Sequence, residues 1–221
     1  MGLAGRTAVV TGTAHGIGTA IAKALTEDGA TVHGVDKDTA DLTSPQAVAD
    51  FFAAIGPVDI LVNNAGGVVG QTGKPLEDVP PEDWHAVVDA NLTSAYLCIR
   101  AVIPGMKARG WGRIVNINDV AGLEPWPRFE IHSVAKAGLL MLTRALAQAL
   151  APAVLVNGIV PGTVLMPEEA PAGAAERSAA KTVLGRLGSP EDVAGALRYL
   201  LSADYVTGHT LVVDGGRMVR P

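Results

Sequence analysis

The architecture of this chain is set out early, in the stretch Thr7-Ala8-Val9-Val10-Thr11-Gly12-Thr13-Ala14-His15-Gly16-Ile17-Gly18. Its first five residues form a short apolar run closed by a glycine, which predicts a buried strand. From Ile17 to Asp28 apolar residues recur on one face, which predicts a helix that ends at Gly29. Glycines between a strand and a helix let the backbone approach a phosphate at the helix N-terminus. The stretch therefore indicates a dinucleotide-binding loop.

Strands and helices continue to alternate along the rest of the sequence, with no linker and no repeat. Further strands are predicted at Thr31–Val35, Val58–Val62, Gly112–Ile117, Leu155–Ile159 and Leu211–Val213. Further helices are predicted at Pro45–Ile55, Pro81–Arg109, Ile131–Ala151, Pro171–Val183 and Pro190–Leu201, with Ser44 and Ser189 as N-caps. The pattern predicts an α/β fold with one doubly wound domain over residues 1–221. Its mostly parallel sheet has six to seven strands and helices on both faces.

One segment is too short for this pattern. Only Lys37 to Ala40 separate Asp36, at the end of the second strand, from Asp41 and Leu42. A parallel crossover needs a dozen or more residues. We therefore predict that a crossover helix is missing here and that the third strand is vestigial or absent. The adenine side of the cofactor groove should then be open.

Composition excludes several classes of protein. Aromatic residues make up 4% of the 221 residues and the apolar fraction is 48%, so the core is expected to be built from Ala, Val, Leu and Ile. A net charge of −5 without a basic block argues against nucleic acid or an anionic membrane as partner. The single cysteine, Cys98, fits a reducing compartment and helix packing. We expect a cytoplasmic protein with no signal peptide, no membrane span and no metal site.

Several later motifs fall in a fixed order after the glycine loop. They are Asn63-Asn64-Ala65-Gly66, Asn91, the strand Gly112–Ile117 with Asp119 after it, His132, Lys136, Val156–Val164 and Val212-Val213-Asp214-Gly215-Gly216. This set resembles the short-chain dehydrogenase/reductase family, across essentially the whole chain. The resemblance implies a Rossmann-type dinucleotide-binding domain and an oxidoreductase that acts on a small-molecule substrate.

The catalytic positions depart from the family pattern. That pattern has Asn, Ser, Tyr and Lys, and the resemblance assigns the corresponding catalytic roles here to Asn91, Asp119, His132 and Lys136. In the family the Asn holds a water that connects the active-site Lys to solvent. Asp in the Ser position, together with the run from Pro161 to Glu168, looks most like pteridine-reductase-type members, which nevertheless keep the Tyr. His132 thus stands where the family proton donor is expected.

A second set of residues is predicted to bind the cofactor. Asp36 can accept hydrogen bonds from an adenosine ribose and repels a 2′-phosphate, so NAD(H) is favoured over NADP(H), although His15 and Lys37 could offer charge to a phosphate. The predicted cofactor residues are Gly12, His15, Gly16, Ile17, Gly18, Asp36, Asp41, Leu42, Asn64, Ala65, Gly66, Lys136, Pro161, Gly162 and Val164. A short substrate loop is expected at about 165–185, with Trp126, Phe129 and Met166 on the substrate side.

The chemistry leaves three hypotheses. An imidazole has its pKa near neutrality, so an Asp119–His132 pair can act as acid and base beside a bound nicotinamide, although the imidazole reaches less far than a phenol. The leading hypothesis is an NAD(H)-dependent oxidoreductase that acts on a small carbonyl or alcohol. The alternatives are a non-redox enzyme (dehydratase, isomerase or cyclase) on the same fold and a nucleotide-binding protein without turnover. By resemblance, the helices Pro81–Arg109 and Ile131–Ala151 are expected to form a homodimer or homotetramer.

Overall fold

A computed structural model describes residues 2–68, 73–166 and 170–219. The strands are β1 (Thr7–Thr11), β2 (Thr31–Val35), β3 (Ile60–Asn63), β4 (Gly112–Ile117), β5 (Val154–Pro161) and β6 (Thr210–Val213). The helices are α1 (Gly16–Glu27), α2 (Pro45–Ile55), α3 (Pro81–Val88), α4 (Ser94–Arg109), α5 (Glu130–Leu150), α6 (Ala174–Ala179) and α7 (Pro190–Ser202). A π-helical segment, Asp89–Thr93, joins α3 and α4 into one continuous helix.

The six strands form one parallel sheet in the order β2-β1-β3-β4-β5-β6. One apolar core lies between the sheet and α1 and α7, around Ile21, Leu25 and Leu197. A second core lies on the opposite face, under α2, α4 and α5, around Phe52 and Leu97. Both cores are dominated by Ala, Val, Leu and Ile, as predicted. The doubly wound fold is confirmed.

The missing crossover is confirmed as well. In the part of the chain that the structure describes, no helix or strand lies between β2 and α2, and β2 is therefore an edge strand. Residues 36–44 turn directly into α2, with the carbonyl of Asp36 accepting from the backbone amides of Thr39 and Ala40. Ser44 then caps α2 by accepting from the amide of Ala47. The carboxyl end of β2 is thus followed by a tight turn that leads directly into α2, with no further helix and strand before it.

The predicted helix at Pro171–Val183 is the one element that is largely wrong. Helix α6 covers only Ala174–Ala179, because Gly173 before it adopts a left-handed conformation (φ 73°). Beyond α6 the Thr182 hydroxyl contacts the carbonyls of Ala179 and Arg186, which supports a turn there. The other predicted bounds lie within two residues of those observed. The N-caps at Ser44 and Ser189 are both present.

Among the described residues one helical stretch, Pro81–Arg109, is long and apolar enough to pass a length-and-composition test for a membrane span. Its buried side chains include Leu97, Val102 and Met106, which pack in the second core. A core helix of this length passes the same test, so the finding is weak as an indication of a membrane.

Candidate active site

A cleft of about 790 Å³ lies along the carboxyl ends of the parallel strands. This is where ligands bind in doubly wound folds. The cleft is lined by the predicted site residues Gly12, His15, Gly16, Ile17, Asp36, Asp41, Leu42, Asn64, Ala65, Gly66, Asp119, His132, Lys136, Pro161, Gly162 and Val164. Of the predicted set, only Gly18 and Asn91 do not line it. The fold thus gathers nearly all of these residues on one surface.

The glycine loop between β1 and α1 is built for a close approach. Gly12 and Gly16 have positive φ values of 72° and 65°, which favour glycine. A Cβ at Gly18 would lie 1.9 Å from the Gly12 carbonyl oxygen, so Gly18 allows the helix to pack against the loop rather than lining the cleft. Helix α1 has neither a side-chain N-cap nor an acidic residue in its first turn. Its N-terminal amides are therefore suited to an anionic pyrophosphate.

Thr11 and Asn64 fix the loop against the neighbouring strand. The Thr11 hydroxyl accepts from the backbone amides of Asn64 (2.9 Å) and Ala65 (2.8 Å). The Asn64 side-chain amide donates to the carbonyls of Thr11 and Gly12, both at 2.9 Å. Thr11 was not predicted as a site residue, although a polar residue at the end of a buried strand was a usable signal. These bonds tie the Asn-Asn-Ala-Gly segment to the glycine loop.

Asp36 lies at the adenosine end of the cleft, held by a residue that the sequence analysis also missed. The Thr13 hydroxyl donates to Asp36 Oδ2 at 2.7 Å, which fixes the carboxylate on the cleft wall. Asp41 lies beyond it, and its Oδ1 accepts from the backbone amide and hydroxyl of Thr43, which lowers the Asp41 pKa. Leu42 is buried in the second core. The carboxylate arrangement therefore survives the loss of the crossover.

Asn91 lies in the π-helical segment and braces the loop behind the cleft. Its Oδ1 accepts from the Gly67 amide at 3.0 Å, and its Nδ2 donates to the carbonyls of Gly67 (2.7 Å) and Val87 (2.9 Å). A Cβ at Gly66 would lie 2.6 Å from Asn91 Oδ1 and 3.5 Å from Lys136 Nζ. Asn91 and Lys136 therefore meet across Gly66, and π-segments of this kind are frequent at functional sites.

Asp119 and His132 face each other at the end of β4. Asp119 Oδ1 accepts from the Ala121 amide at 2.8 Å, and this bond holds the carboxylate at the start of a short 3₁₀ turn. Asp119 Oδ2 lies 3.8 Å from His132 Nε2, which is an electrostatic contact longer than a hydrogen bond. His132 is buried (3% exposed), and its ring centre lies 6.5 Å from that of Trp126. The pair combines a carboxylate and an imidazole on the cleft wall.

Lys136 follows His132 by one helical turn. Its Nζ donates to the carbonyl of Ile117 at 3.2 Å, and the side chain is only 5% exposed. Burial lowers the pKa of Lys136 to about 8, and the nearby charge of Asp119 opposes part of that effect. An amine with this pKa exchanges protons near neutral pH.

The amide of Asn118, next to Asp119, lies on the cleft wall without a hydrogen-bond partner. Asn118 is 4% exposed, and neither its Oδ1 nor its Nδ2 bonds to any described residue. A buried amide of this kind needs a partner, because desolvation without a hydrogen bond is costly. A ligand with an amide group, such as the nicotinamide carboxamide, would supply both a donor and an acceptor. The chain's own residues therefore fit a nicotinamide dinucleotide.

The segment after β5 closes the other side of the cleft. A Cβ at Gly162 would lie 2.8 Å from Asp214 Cα, so the turn needs glycine to pass the C-terminal segment. Val164 is buried, and Leu165 Cδ1 lies 2.6 Å from where a Gly16 Cβ would be. Leu165 therefore reaches over the glycine loop.

The substrate side is only partly as predicted. Trp126 lines the cleft, as predicted, whereas Phe129 and Met166 do not. Phe129 instead packs edge-on against Trp126, with ring centres 6.4 Å apart. Residues 167–169, including Glu168, lie outside the described residues, so the predicted substrate loop at 165–185 is described only in part. No group of three or more His, Cys, Asp or Glu side chains in the described ranges is arranged to hold a metal ion.

Comparison with known proteins agrees with the geometry. The family model described as "Enoyl-(Acyl carrier protein) reductase" matches residues 38–217. The chain is 35% identical to a D-beta-hydroxybutyrate dehydrogenase of Rhizobium meliloti, over 96% of this chain and 98% of the relative. It is 36% identical to 3beta-hydroxysteroid dehydrogenase 1 of Eggerthella lenta, over 99% and 96%. A solved structure of a short chain dehydrogenase/reductase family protein superposes with a TM-score of 0.89, at 34% identity and full coverage of both chains.

The chain belongs to the short-chain dehydrogenase/reductase family, and it is a short-chain oxidoreductase. Members of this class use NAD(P)(H). The alignment with the Eggerthella protein runs over 253 positions, more than the 221 residues of this whole chain. The relative therefore carries residues that this chain lacks.

Proposed function

We propose that the protein transfers hydride between NAD(H) and a small carbonyl or alcohol, with His132 as proton donor and acceptor. The observation that carries this proposal is the Asp119–His132 pair, 3.8 Å apart on the cleft wall, with Lys136 one turn further along the same helix. The glycine loop and Asp36 lie on the same cleft. Acid–base groups and cofactor residues thus share one surface.

The preference for NAD(H) rests on Asp36. The Thr13 hydroxyl donates to Oδ2 of the Asp36 carboxylate and not to Oδ1. A ribose diol can donate to that oxygen, whereas a 2′-phosphate at the same place would meet a negative charge. Lys37 also lines the cleft and is exposed, so the preference should be finite rather than absolute.

The protein's own residues would handle the proton. When bound, the nicotinamide accepts hydride from the alcohol carbon or returns it to the carbonyl carbon. In oxidation His132 takes the hydroxyl proton as the C–H bond breaks; in reduction it gives that proton to the carbonyl oxygen. Asp119 stabilises the imidazolium that exists while His132 holds the extra proton.

Lys136 and Asn91 support the same step from behind. Lys136 has a pKa of about 8 because it is buried, so its amine can exchange protons near neutral pH one helical turn from His132. Asn91 holds the Gly66-Gly67 backbone beside Lys136, and we assign it a positioning role.

The names of the relatives leave the substrate open, since one names a hydroxy acid and the other a hydroxysteroid. Asp119 in the Ser position is also a feature of pteridine-reductase-type members, which makes a pteridine the second candidate substrate. We further propose a cytoplasmic homo-oligomer assembled through α4 and α5. Tyr96, Val134 and Met141 on these helices are about half exposed, which supports an apolar contact there.

Titration of the protein with NADH and NADPH, followed by turnover assays on a panel of small alcohols and carbonyls, tests the proposal. We expect tighter binding of NADH and a loss of turnover of at least ~100-fold in His132→Ala, the scale of general acid–base catalysis. His85→Ala is the matched control, because His85 is exposed on α3 away from the cleft. Nucleotide binding with no redox turnover across the panel would refute the proposal, and turnover in nucleotide-free protein would favour the non-redox alternative.

A further inference from the structure

One arginine beside the substrate end of the cleft differs from the other arginines of the protein. Arg217 Nη1 donates to the Thr163 hydroxyl at 3.3 Å, and its guanidinium carbon lies 6.0 Å from the centre of the Trp126 ring. Thr163 and Trp126 both line the cleft. The guanidinium is therefore bracketed by two cleft-lining side chains, one of which neighbours His132.

Arg217 is half-buried and pairs with no carboxylate of the residues that the structure describes. In the ranges that the structure describes, three other partly buried arginines, Arg6, Arg109 and Arg113, each pair with an aspartate. Arg217 forms no ion pair with a described residue. The acid nearest in sequence, Asp214, accepts instead from the backbone amides of Gly216 and Met218. A half-buried cation that lacks an anion is a feature of sites that bind one.

We propose that Arg217 binds a carboxylate of the substrate, and that the protein acts on a short hydroxy or oxo acid. This inference rests on the function proposed above. The planar guanidinium can hold a carboxylate through two parallel hydrogen bonds, and the Thr163 hydroxyl fixes its orientation. Trp126 contributes an apolar surface close to both this anion site and His132.

The dimensions limit the length of the substrate. Trp126 lies 6.5 Å from the His132 ring and 6.0 Å from the Arg217 guanidinium, so the two groups are no farther apart than these distances together. Hydrogen bonds at both ends occupy roughly 3 Å each. Only a few bonds then separate the carboxylate from the reacting carbon. Asp119 repels a carboxylate, which places the anionic end of the substrate at Arg217 and the reacting end at His132.

The test compares a short 3-hydroxy acid with its methyl ester, which keeps the shape and removes the charge. We expect the wild-type enzyme to prefer the acid in kcat/KM, and Arg217→Gln to raise KM for the acid by about 10- to 100-fold while changing the ester less than about threefold. Arg217→Lys should restore part of the preference, because it keeps the charge but loses the bidentate geometry. Lys23→Gln is the control for net charge, since Lys23 is exposed on α1.

A readout without turnover separates this inference from the proposed function. Calorimetric titration with butyrate, compared with butyramide, should show binding of the anion to the wild type and its loss in Arg217→Gln. If neutral alcohols are oxidised with NAD⁺ but acid and ester are equivalent, the inference is overturned and the proposed function stands. If no redox turnover occurs while butyrate binding still depends on Arg217, the anion site stands and the proposed function fails.

Discussion

Replacing Lys136 with Met should stabilise the ligand-free protein at pH 7, and the gain should disappear as the pH rises. Lys136 is 5% exposed, and burial lowers its pKa from 10.5 to about 8. Between these two values the unfolded chain binds more protons than the folded one, so the stability of the wild type rises with pH through that window. At about 1.4 kcal/mol per pH unit, the penalty below pH 8 is on the order of 3 kcal/mol. Loss of the bond to the Ile117 carbonyl offsets about 1 kcal/mol of the gain.

Urea unfolding of the wild type and Lys136→Met at pH 7, 8, 9 and 10 gives the difference between their free energies of unfolding at each pH. The contributions of the other titrating groups cancel in this difference. Between pH 7 and pH 10 the variant's advantage should fall by about 2 kcal/mol. Lys23→Met is the matched control, because the Lys23 side chain is 78% exposed. A difference between wild type and Lys136→Met that stays constant from pH 7 to pH 10 would refute the assignment of a desolvated, easily deprotonated amine to the site.

Two further predictions concern the cofactor side of the cleft. Gly12 and Gly5 both have positive φ values, but a Cβ at Gly12 would lie 2.9 Å from Asn64 Nδ2 while a Cβ at Gly5 meets nothing within 4 Å. Gly12→Ala should therefore weaken NADH binding by at least ~10-fold. Gly5→Ala should leave NADH binding unchanged and lower only the free energy of unfolding, by about 1 kcal/mol of backbone strain. Equal losses of NADH affinity in the two variants would contradict the contact argument. Asn118→Leu should leave the ligand-free protein as stable as the wild type, because the Asn118 amide bonds to no described residue. The same variant should weaken NADH binding by about 5- to 10-fold, because it removes the proposed hydrogen bonds to the nucleotide. Unchanged affinity in calorimetric titration would show that Asn118 does not contact the nucleotide.

Most of the fold follows from local features of the sequence. Apolar runs closed by glycine or proline locate the buried strands, and Ser44 and Ser189 locate two helix starts, because a cap depends only on residues three positions apart. The shortened crossover is equally visible, since chain length alone forbids a parallel connection there. Helix α6 is the exception. Its start depends on the left-handed Gly173, and the turn after it involves a contact of Thr182 with Arg186, neither of which the sequence pattern indicates.

The grouping of the candidate site residues could be predicted where one segment carries them, and not where distant segments meet. Asp119, His132 and Lys136 share a short stretch of β4 and α5. The anchoring of Asp36 by Thr13 and the position of Arg217 beside Thr163 depend on contacts between residues that are 23 and 54 positions apart. Sequence spacing cannot show such contacts without the register of the sheet.

This chain departs from its family in two respects, the lost crossover after β2 and the residues at positions 119 and 132. These two departures lie at opposite ends of one cleft and depend on different elements. The lost crossover affects the adenosine end, where Asp36 is held by Thr13 of the glycine loop and not by the missing strand. The substituted positions, Asp119 and His132, lie just after β4 and on α5, two elements that pack in the centre of the fold. Shortening the chain should therefore reduce contacts to the adenosine and so lower the affinity for NAD(H), without moving His132 relative to Lys136. The rate of the chemical step should depend on Asp119, His132 and Lys136, and the two effects can be measured separately as a binding constant and a single-turnover rate at saturating nucleotide.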